Sequence, residues 1–131
     1  MRTYWDSSAL VAATIEGEIR DRLDTTDAFT RTHALAEVFS TLTGSRLGFR
    51  VDADDAALVV RDLLGAVEVV EISPPEVMEA LDEARSRGVR SGQVHDYLHA
   101  VAARKAKCDT LLTLNISDFE GLFDELVLEE P

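Results

Sequence analysis

The stretch Thr110-Leu-Leu-Thr-Leu-Asn-Ile-Ser-Asp118 predicts a strand over residues 110–114 that leads directly into a polar turn. A short helical turn follows the strand and contains Asp118. The start of the chain repeats this arrangement, because a strand predicted over residues 2–5 ends at Asp6. Ligands bind at the carboxyl edge of open parallel sheets, so both aspartates are expected at the edge where a site would form.

Strands and helices alternate through the rest of the chain. One helix start is marked by the capping box Ser73-Pro-Pro-Glu76, with proline at the first helical position. The helix over residues 33–46 carries one apolar stripe, formed by Leu35, Val38, Phe39 and Leu42. Further strands are predicted over residues 28–31, 67–72 and 125–128, and further helices over residues 9–13, 16–23, 52–65, 73–88 and 94–107.

This alternation predicts an α/β fold with a parallel sheet of four to five strands sandwiched by helices. A chain of 131 residues, of which 46% are hydrophobic, fits a single domain spanning residues 1–131. No apolar stretch is long enough to span a membrane, and no signal peptide is expected before the first strand. The lone Cys108 excludes an internal disulfide and a thiolate metal cage, and it fits a cytoplasmic location.

The formal net charge of −12 is unusual for a protein that holds nucleic acid by bulk electrostatics. Two routes around this restriction exist. A bound cation reverses the charge of an acidic cleft locally, and a basic partner chain can bind the acidic surface. The best candidates for contacting RNA are loop arginines, whose ordinary role is solubility: Arg46, Arg50, Arg87 and Arg90.

Two further acidic residues are expected at the same edge as Asp6 and Asp118. Crossover helices run antiparallel to the strands, so their N-termini lie at the carboxyl edge, and Glu37 and Asp96 fall in the first or second turns of two such helices. We call Asp6, Glu37, Asp96 and Asp118 the acidic quartet. Four carboxylates in contact cannot all stay ionised without a cation, and their oxygens suit Mg²⁺ or Mn²⁺. Such sites usually hydrolyse or transfer phosphate esters.

Each member of the quartet also has a purely structural explanation. Asp6 can cap a helix, and Asp96 and Asp118 can interact with the positive end of a helix dipole. Glu37 faces away from the apolar stripe of its helix, where a solvated glutamate would lie. Residues that share its face nevertheless leave room for a pocket: His33, Ser40 and Gly44. The histidines lack convincing metal-ligand partners and are interpreted as surface or packing residues: His33, His95 and His99.

Four segments together resemble a known family. They are Tyr4-Trp-Asp-Ser-Ser-Ala-Leu-Val-Ala12, Thr32-His-Ala-Leu-Ala-Glu-Val-Phe-Ser-Thr-Leu42, Ser91-Gly-Gln-Val-His-Asp-Tyr-Leu-His-Ala100 and Cys108-Asp-Thr-Leu-Leu-Thr-Leu-Asn-Ile-Ser-Asp-Phe119. The last contains a T-x-N-x-x-D-F element and is the most specific. In this order, and over nearly the whole chain, they resemble a PIN-domain ribonuclease, most closely a VapC-type toxin. The chain departs from that pattern at His95 and His99, where more neutral residues are expected.

The resemblance implies that the acidic quartet holds one or two Mg²⁺ or Mn²⁺ ions and that the protein is an endoribonuclease. Asp6 and Asp96 are implied as direct ligands, and Asp118 as a residue that acts through water. Glu37 is implied as a ligand or as the base that orients the attacking water. Two more residues are implied to position the carboxylates or the substrate: Thr113 and Asn115.

The resemblance also implies partners. The substrate would be structured RNA, and a cognate VapB-type antitoxin would fill an apolar groove and place a basic side chain among the acids. Toxins of this type commonly form homodimers, and the helices within residues 52–88 offer apolar area for such a contact.

Three other functions are also compatible with a small acidic α/β chain. A non-catalytic PIN-like module would bind RNA or a partner without cleaving it. A phosphoacceptor signalling domain needs an acidic pair after the first strand and a late lysine, whereas here no lysine follows Lys107. A metal-dependent phosphatase would act on phosphate monoesters instead.

Overall fold

A computed structural model describes all 131 residues and contains a five-stranded sheet in the order β3-β2-β1-β4-β5. Every pair of neighbouring strands is parallel. The strands are β1 (Arg2–Trp5), β2 (Asp27–Arg31), β3 (Glu68–Val70), β4 (Thr110–Leu112) and β5 (Val127–Glu129). The predicted parallel sheet of four to five strands is therefore confirmed.

Seven helices connect the strands. They are α1 (Ser7–Ile15), α2 (Gly17–Thr25), α3 (Thr32–Thr43), α4 (Ala53–Ala66), α5 (Pro74–Ser86), α6 (Gln93–Lys105) and α7 (Ile116–Phe119). None of them combines the length and the apolar character that crossing a membrane requires.

The central strand β1 explains why the helices form two layers. Its consecutive residues Tyr4 and Trp5 point to opposite faces of the sheet, and both are completely buried. Tyr4 belongs to a core cluster that includes Tyr97 of α6, whereas Trp5 belongs to a second cluster that includes Leu10 of α1 and Val38 of α3. The sheet is thus covered on both faces, as the alternation of elements predicted.

Helix caps follow the residue types that the sequence indicated. Asp6 caps α1 by accepting a hydrogen bond from the Ala9 N–H, and Asp52 caps α4 through the Asp54 N–H. The capping box of α5 is complete, because Ser73 accepts from the Glu76 N–H and the Glu76 carboxylate accepts from the Ser73 N–H. These contacts satisfy backbone donors that a helix start leaves without partners.

Several expectations about element boundaries and burial need correction. The strands predicted over residues 67–72 and 125–128 are shorter, at Glu68–Val70 and Val127–Glu129. Helix α3 ends at Thr43, before the predicted residue 46, and its buried face is Ala34, Val38 and Leu42. Phe39, predicted in that stripe, is 37% exposed because it lies one position beyond the narrow buried row. The strand predicted over residues 110–114 ends at Leu112, since the Thr113 side chain turns towards Asp6 and Leu114 is exposed.

Removing the cap of α5 is expected to destabilise the protein modestly. Ser73→Ala leaves the Glu76 N–H without its side-chain acceptor, which typically costs about 1 kcal/mol. Urea denaturation should show a lower midpoint with an unchanged slope. Ser86→Ala, at the opposite end of the same helix, is the matched control and should stay close to wild type. Equal midpoints for the two variants would contradict a stabilising cap.

Candidate functional site

Asp6 lies immediately beyond the carboxyl end of the central strand and is 4% exposed. One of its carboxylate oxygens, Oδ1, accepts hydrogen bonds from the Ala9 N–H at 2.9 Å and the Ser8 hydroxyl at 2.7 Å. The other, Oδ2, accepts from the Thr113 hydroxyl at 2.5 Å. Asp6 can therefore be a helix cap and a metal ligand at once, because three hydrogen-bond donors fix its buried carboxylate at the edge of the sheet.

Thr113 and Ser8 join the end of β4 to the start of α1. The completely buried Thr113 hydroxyl, which donates to Asp6, also accepts from the Asn115 N–H at 3.0 Å. Ser8 donates to Asp6 and accepts from the Leu114 N–H at 2.9 Å. Asn115 occupies the N-cap position of α7 without a side-chain capping bond, so its amide remains available at the same edge.

Glu37 is half-buried and is hydrogen-bonded to the imidazole of His99. The distance between Glu37 Oε1 and His99 Nε2 is 3.0 Å. Burial acts to raise the pKa of Glu37, but the hydrogen bond from His99 and the charges of His99, His33 and Arg31 outweigh burial and lower that pKa. Glu37 is thus not the freely solvated surface residue that its helical position alone allowed.

Asp96 shows that the quartet shares one electrostatic environment. Burial raises the pKa of Asp96, and the negative charges of Asp118, Asp6 and Glu37 raise it further, while His99 partly offsets them. Repulsion of this kind requires carboxylates that lie near one another. Asp6 before α1, Glu37 of α3 and Asp118 of α7 therefore lie near enough to Asp96 of α6 for their charges to act on it, and Asp118 is the solvent-exposed member.

Burial and this repulsion together make the charge of Asp96 unfavourable in the metal-free protein, so Asp96→Asn is expected to stabilise it. The folded-state pKa of Asp96 lies above the ordinary value of 3.8, so its ionisation opposes folding. This cost in the free energy of unfolding is absent at pH values below 3.8 and develops as the pH rises through the folded-state pKa of Asp96. We expect Asp96→Asn to melt at a higher temperature than wild type at pH 7 in EDTA, and the gain to vanish near pH 3. Asp82→Asn is an exposed control, and a gain independent of pH would contradict charge repulsion.

The donor set suits a hard divalent cation, although its side chains do not form a complete coordination sphere. Carboxylate oxygens are the preferred ligands of Mg²⁺ and Mn²⁺, and a cation would relieve the repulsion around Asp96. No three of the His, Cys, Asp or Glu side chains are already arranged to hold an ion together. Water ligands or rotation of side chains such as the exposed Asp118 would have to complete the sphere.

A polar cleft of about 580 Å³ opens beside Glu37. The residues that share the Glu37 face of α3 line this cleft: His33, Ser40 and Gly44. Ser7 at the start of α1 and Arg46 beyond the end of α3 also line it. The pocket expected on this face is therefore present. The rings of His33 and His95 stack with centroids 6.0 Å apart, which brings the starts of α3 and α6 together.

The four loop arginines occupy different places. Arg46 lines the cleft beside Glu37, and Arg50 is exposed after it. Arg87 donates to the Leu122 carbonyl and stacks over the Phe123 ring at 5.0 Å, so it is occupied in packing. Arg90 lines a separate apolar groove. Of the four, only Arg46 borders the cleft.

Sequence reasoning missed two residues that touch the site. The sequence indicates only a surface or packing role for His99, whereas its buried ring also joins Glu37 to the Tyr4 hydroxyl, with 1% of the residue exposed. Arg31, treated only as the end of a strand, lowers the pKa of Glu37 through its charge and has a buried Nε without a hydrogen-bond partner. The one available signal for His99 was its spacing, one helical turn after Asp96.

Comparison with protein families identifies the fold family. A family model described as PIN domain matches residues 3–120, which include the whole acidic quartet. The chain belongs to the PIN-domain family. The architecture of the sheet and the resemblance noted from the sequence both agree with this membership. A comparison with curated protein sequences finds no significant match.

Several solved structures share the PIN fold of this chain. A chain of VapBC2 from Rickettsia felis, solved bound to a DNA fragment from its promoter, is 19% identical with a TM-score of 0.71, and 100% of this chain and 99% of that chain are covered. A chain of DNA-bound VapBC from Salmonella typhimurium is 18% identical with a TM-score of 0.71, and the match covers 99% of this chain and 98% of that chain. A chain of a toxin–antitoxin complex from Klebsiella pneumoniae is 16% identical with a TM-score of 0.70, and the match covers 98% of this chain and 99% of that chain. At identities this low, the TM-scores and coverages show a shared fold alone.

Proposed function

We propose that this PIN-domain protein is a metal-dependent endoribonuclease and the toxin of a VapBC-type toxin–antitoxin system. The observation that carries the proposal is the electrostatic coupling of Asp96 to Asp118, Asp6 and Glu37, which come from separate elements of the chain. Carboxylates that lie near one another at the carboxyl edge of a sheet repel, and a divalent cation bound among them would remove that repulsion. The similarity in fold to chains of VapBC complexes supports the toxin assignment.

Each residue of the site would have a separate role in phosphodiester hydrolysis. Asp6, held rigidly by three donors, and Asp96 would ligate Mg²⁺ or Mn²⁺ directly, and the exposed Asp118 would act through water. When bound, the metal supplies Lewis-acid activation of water and neutralises charge on the leaving oxygen. Glu37 would either ligate the metal or act as the base that orients the attacking water. Thr113 fixes the second oxygen of Asp6, and the free Asn115 amide would contact a phosphate oxygen.

The proposal includes an RNA substrate and two protein partners. Arg46 would contact the RNA backbone from the cleft beside Glu37, whereas Arg87 is held in packing and Arg50 and Arg90 would act only at a distance. A VapB-type antitoxin would inhibit by placing a cation among the carboxylates. Exposed apolar side chains of α4 and α5 would form a homodimer contact: Leu58, Leu64, Met78 and Leu81. The buried thiol of Cys108 is compatible with the cytoplasm, where RNA is met.

Purified protein mixed with cellular RNA and Mg²⁺ tests the proposal. We expect a small number of discrete RNA fragments, because a toxin of this type cuts at a defined site. A chromogenic phosphate monoester serves as the control for phosphatase activity and should remain intact. Hydrolysis of the monoester with intact RNA would replace the nuclease assignment by a phosphatase.

The competing function is a non-catalytic PIN-like module that binds RNA or a protein partner. The incomplete arrangement of the side chains for metal ligation is the observation in its favour. Binding of Mn²⁺ together with unchanged RNA, under every condition in which the protein is folded, would support this alternative.

A further inference from the structure

A chain of three polar side chains runs from the interior of the protein to the acidic quartet. The Tyr4 hydroxyl lies 2.7 Å from His99 Nδ1, and His99 Nε2 lies 3.0 Å from Glu37 Oε1. Tyr4 is completely buried and His99 is 1% exposed. The rings of Tyr4 and His99 also pack edge to face, with centroids 5.7 Å apart.

The positions of the protons in this chain follow from the donors available. The Tyr4 hydroxyl and His99 Nδ1 share one hydrogen bond, in which either atom can be the donor. The carboxylate of Glu37 has no proton to donate, so the hydrogen in the second bond belongs to His99 Nε2. His99 Nε2–H therefore points at the Glu37 carboxylate and donates to it. Each polar atom of the chain then has a partner of the correct type.

The three residues link the elements that carry the site. Tyr4 precedes Asp6 by two positions on β1, His99 follows Asp96 by one turn of α6, and Glu37 belongs to α3. The neighbours of His99 on α6 are buried and mostly small and apolar: Leu98, Ala100, Ala102 and Ala103. An apolar side chain would fill this place without the desolvation cost of a buried imidazole. The imidazole here has two polar partners, Tyr4 and Glu37, and of the two only Glu37 belongs to the acidic quartet.

We propose that His99, oriented by Tyr4, is a positioning residue that holds the Glu37 carboxylate towards the metal and the attacking water. The inference rests on the proposed function. It adds to the acidic quartet a residue, His99, that holds one of its carboxylates in place. Residues that orient a metal ligand from behind commonly contribute about 10- to 100-fold to metal affinity or activity. The Tyr4–His99 pair therefore affects the chemistry through Glu37, without touching the substrate.

Two substitutions of the same chemical type separate positioning from packing. In His99→Gln the amide nitrogen falls near the place of Nε2 and still donates to Glu37. In His99→Asn the shorter amide reaches the place of Nδ1 and leaves Glu37 without its donor. We expect His99→Asn to lower the Mn²⁺ affinity, measured by calorimetry, and kcat for RNA cleavage by about 10- to 100-fold, with KM nearly unchanged. His99→Gln should recover most of both quantities.

The double variant Tyr4→Phe/His99→Leu controls for stability. It removes both buried polar partners and fills their space with apolar groups, so it should fold and melt close to the wild-type temperature. Its Mn²⁺ affinity and kcat should nevertheless fall as far as those of His99→Asn. Nitrogen-15 NMR of the metal-free wild type should find a proton on His99 Nε2, and an unprotonated Nε2 would overturn the proposal.

The outcomes distinguish this inference from the proposed function. If wild type binds Mn²⁺ and cleaves RNA while His99→Asn equals it in affinity and kcat, positioning by His99 is wrong and the nuclease assignment stands. Equal losses in His99→Gln and His99→Asn, with both folded, would also overturn it. If wild type cleaves no RNA but His99→Asn still loses Mn²⁺ affinity relative to His99→Gln, the positioning role is supported and the endoribonuclease assignment fails.

Discussion

Replacing Asp6 or Asp96 with asparagine is expected to lower the rate of RNA cleavage by at least about a thousandfold, because a site built on shared carboxylates loses its function when one charge is removed. Asp6→Asn keeps an oxygen that can accept from the Ala9 N–H but removes the negative charge at the centre of the edge. Asp96→Asn removes the carboxylate around which the other three charges gather.

The measurement is single-turnover cleavage of a defined RNA, with melting curves that confirm folding. Asp82→Asn, an exposed aspartate on α5, is the matched control and should cleave like wild type. In growing cells, wild type should arrest growth, whereas Asp6→Asn and Asp96→Asn should be harmless. Folded variants that cleave RNA at the wild-type rate would exclude these carboxylates from the chemistry.

Removal of divalent ions is the second change with a large expected effect. RNA cleavage should fall to background in EDTA and return on addition of excess Mg²⁺ or Mn²⁺, because protein side chains alone do not supply the charge that neutralises the leaving oxygen. The repulsion that raises the pKa of Asp96 should be relieved at the same time. Mn²⁺ at about a hundred times its dissociation constant would add about 2.7 kcal/mol to the free energy of unfolding.

Melting curves with and without Mn²⁺ check this effect independently of activity. Wild type should gain several degrees on addition of the ion, and the Asp82→Asn control should gain the same amount. Asp6→Asn should gain little, because it lacks one of the direct ligands. Undiminished cleavage after exhaustive chelation would exclude a metal mechanism, and an equal gain in Asp6→Asn would place the ion elsewhere.

The strand-end residues were predictable because their placement needs no knowledge of strand order. Asp6 and Asp118 follow apolar strands, and in a parallel sheet every strand ends at the same edge. The capping roles of Asp52 and Ser73 were predictable for a similar reason, since a cap depends only on the few residues after it.

Features that depend on packing between distant elements were not predictable from local patterns. Periodicity placed Phe39 in a buried stripe and allowed Glu37 to be solvated, whereas the structure exposes Phe39 and pairs Glu37 with His99. His99 and Glu37 are 62 positions apart, and no local spacing relates them. Their pairing requires α3 and α6 to meet at the edge of the sheet, which follows from the strand order β3-β2-β1-β4-β5.

Diffraction from crystals soaked in Mn²⁺ tests most directly whether these distant carboxylates together form a cation site. The anomalous difference map should contain a peak within coordination distance of Asp6 and Asp96, with Glu37 and Asp118 around it and no equivalent peak in Asp96→Asn crystals. Crystals in which Mn²⁺ binds only at unrelated surfaces, or not at all at millimolar concentration, would contradict the metal site and the nuclease function derived from it.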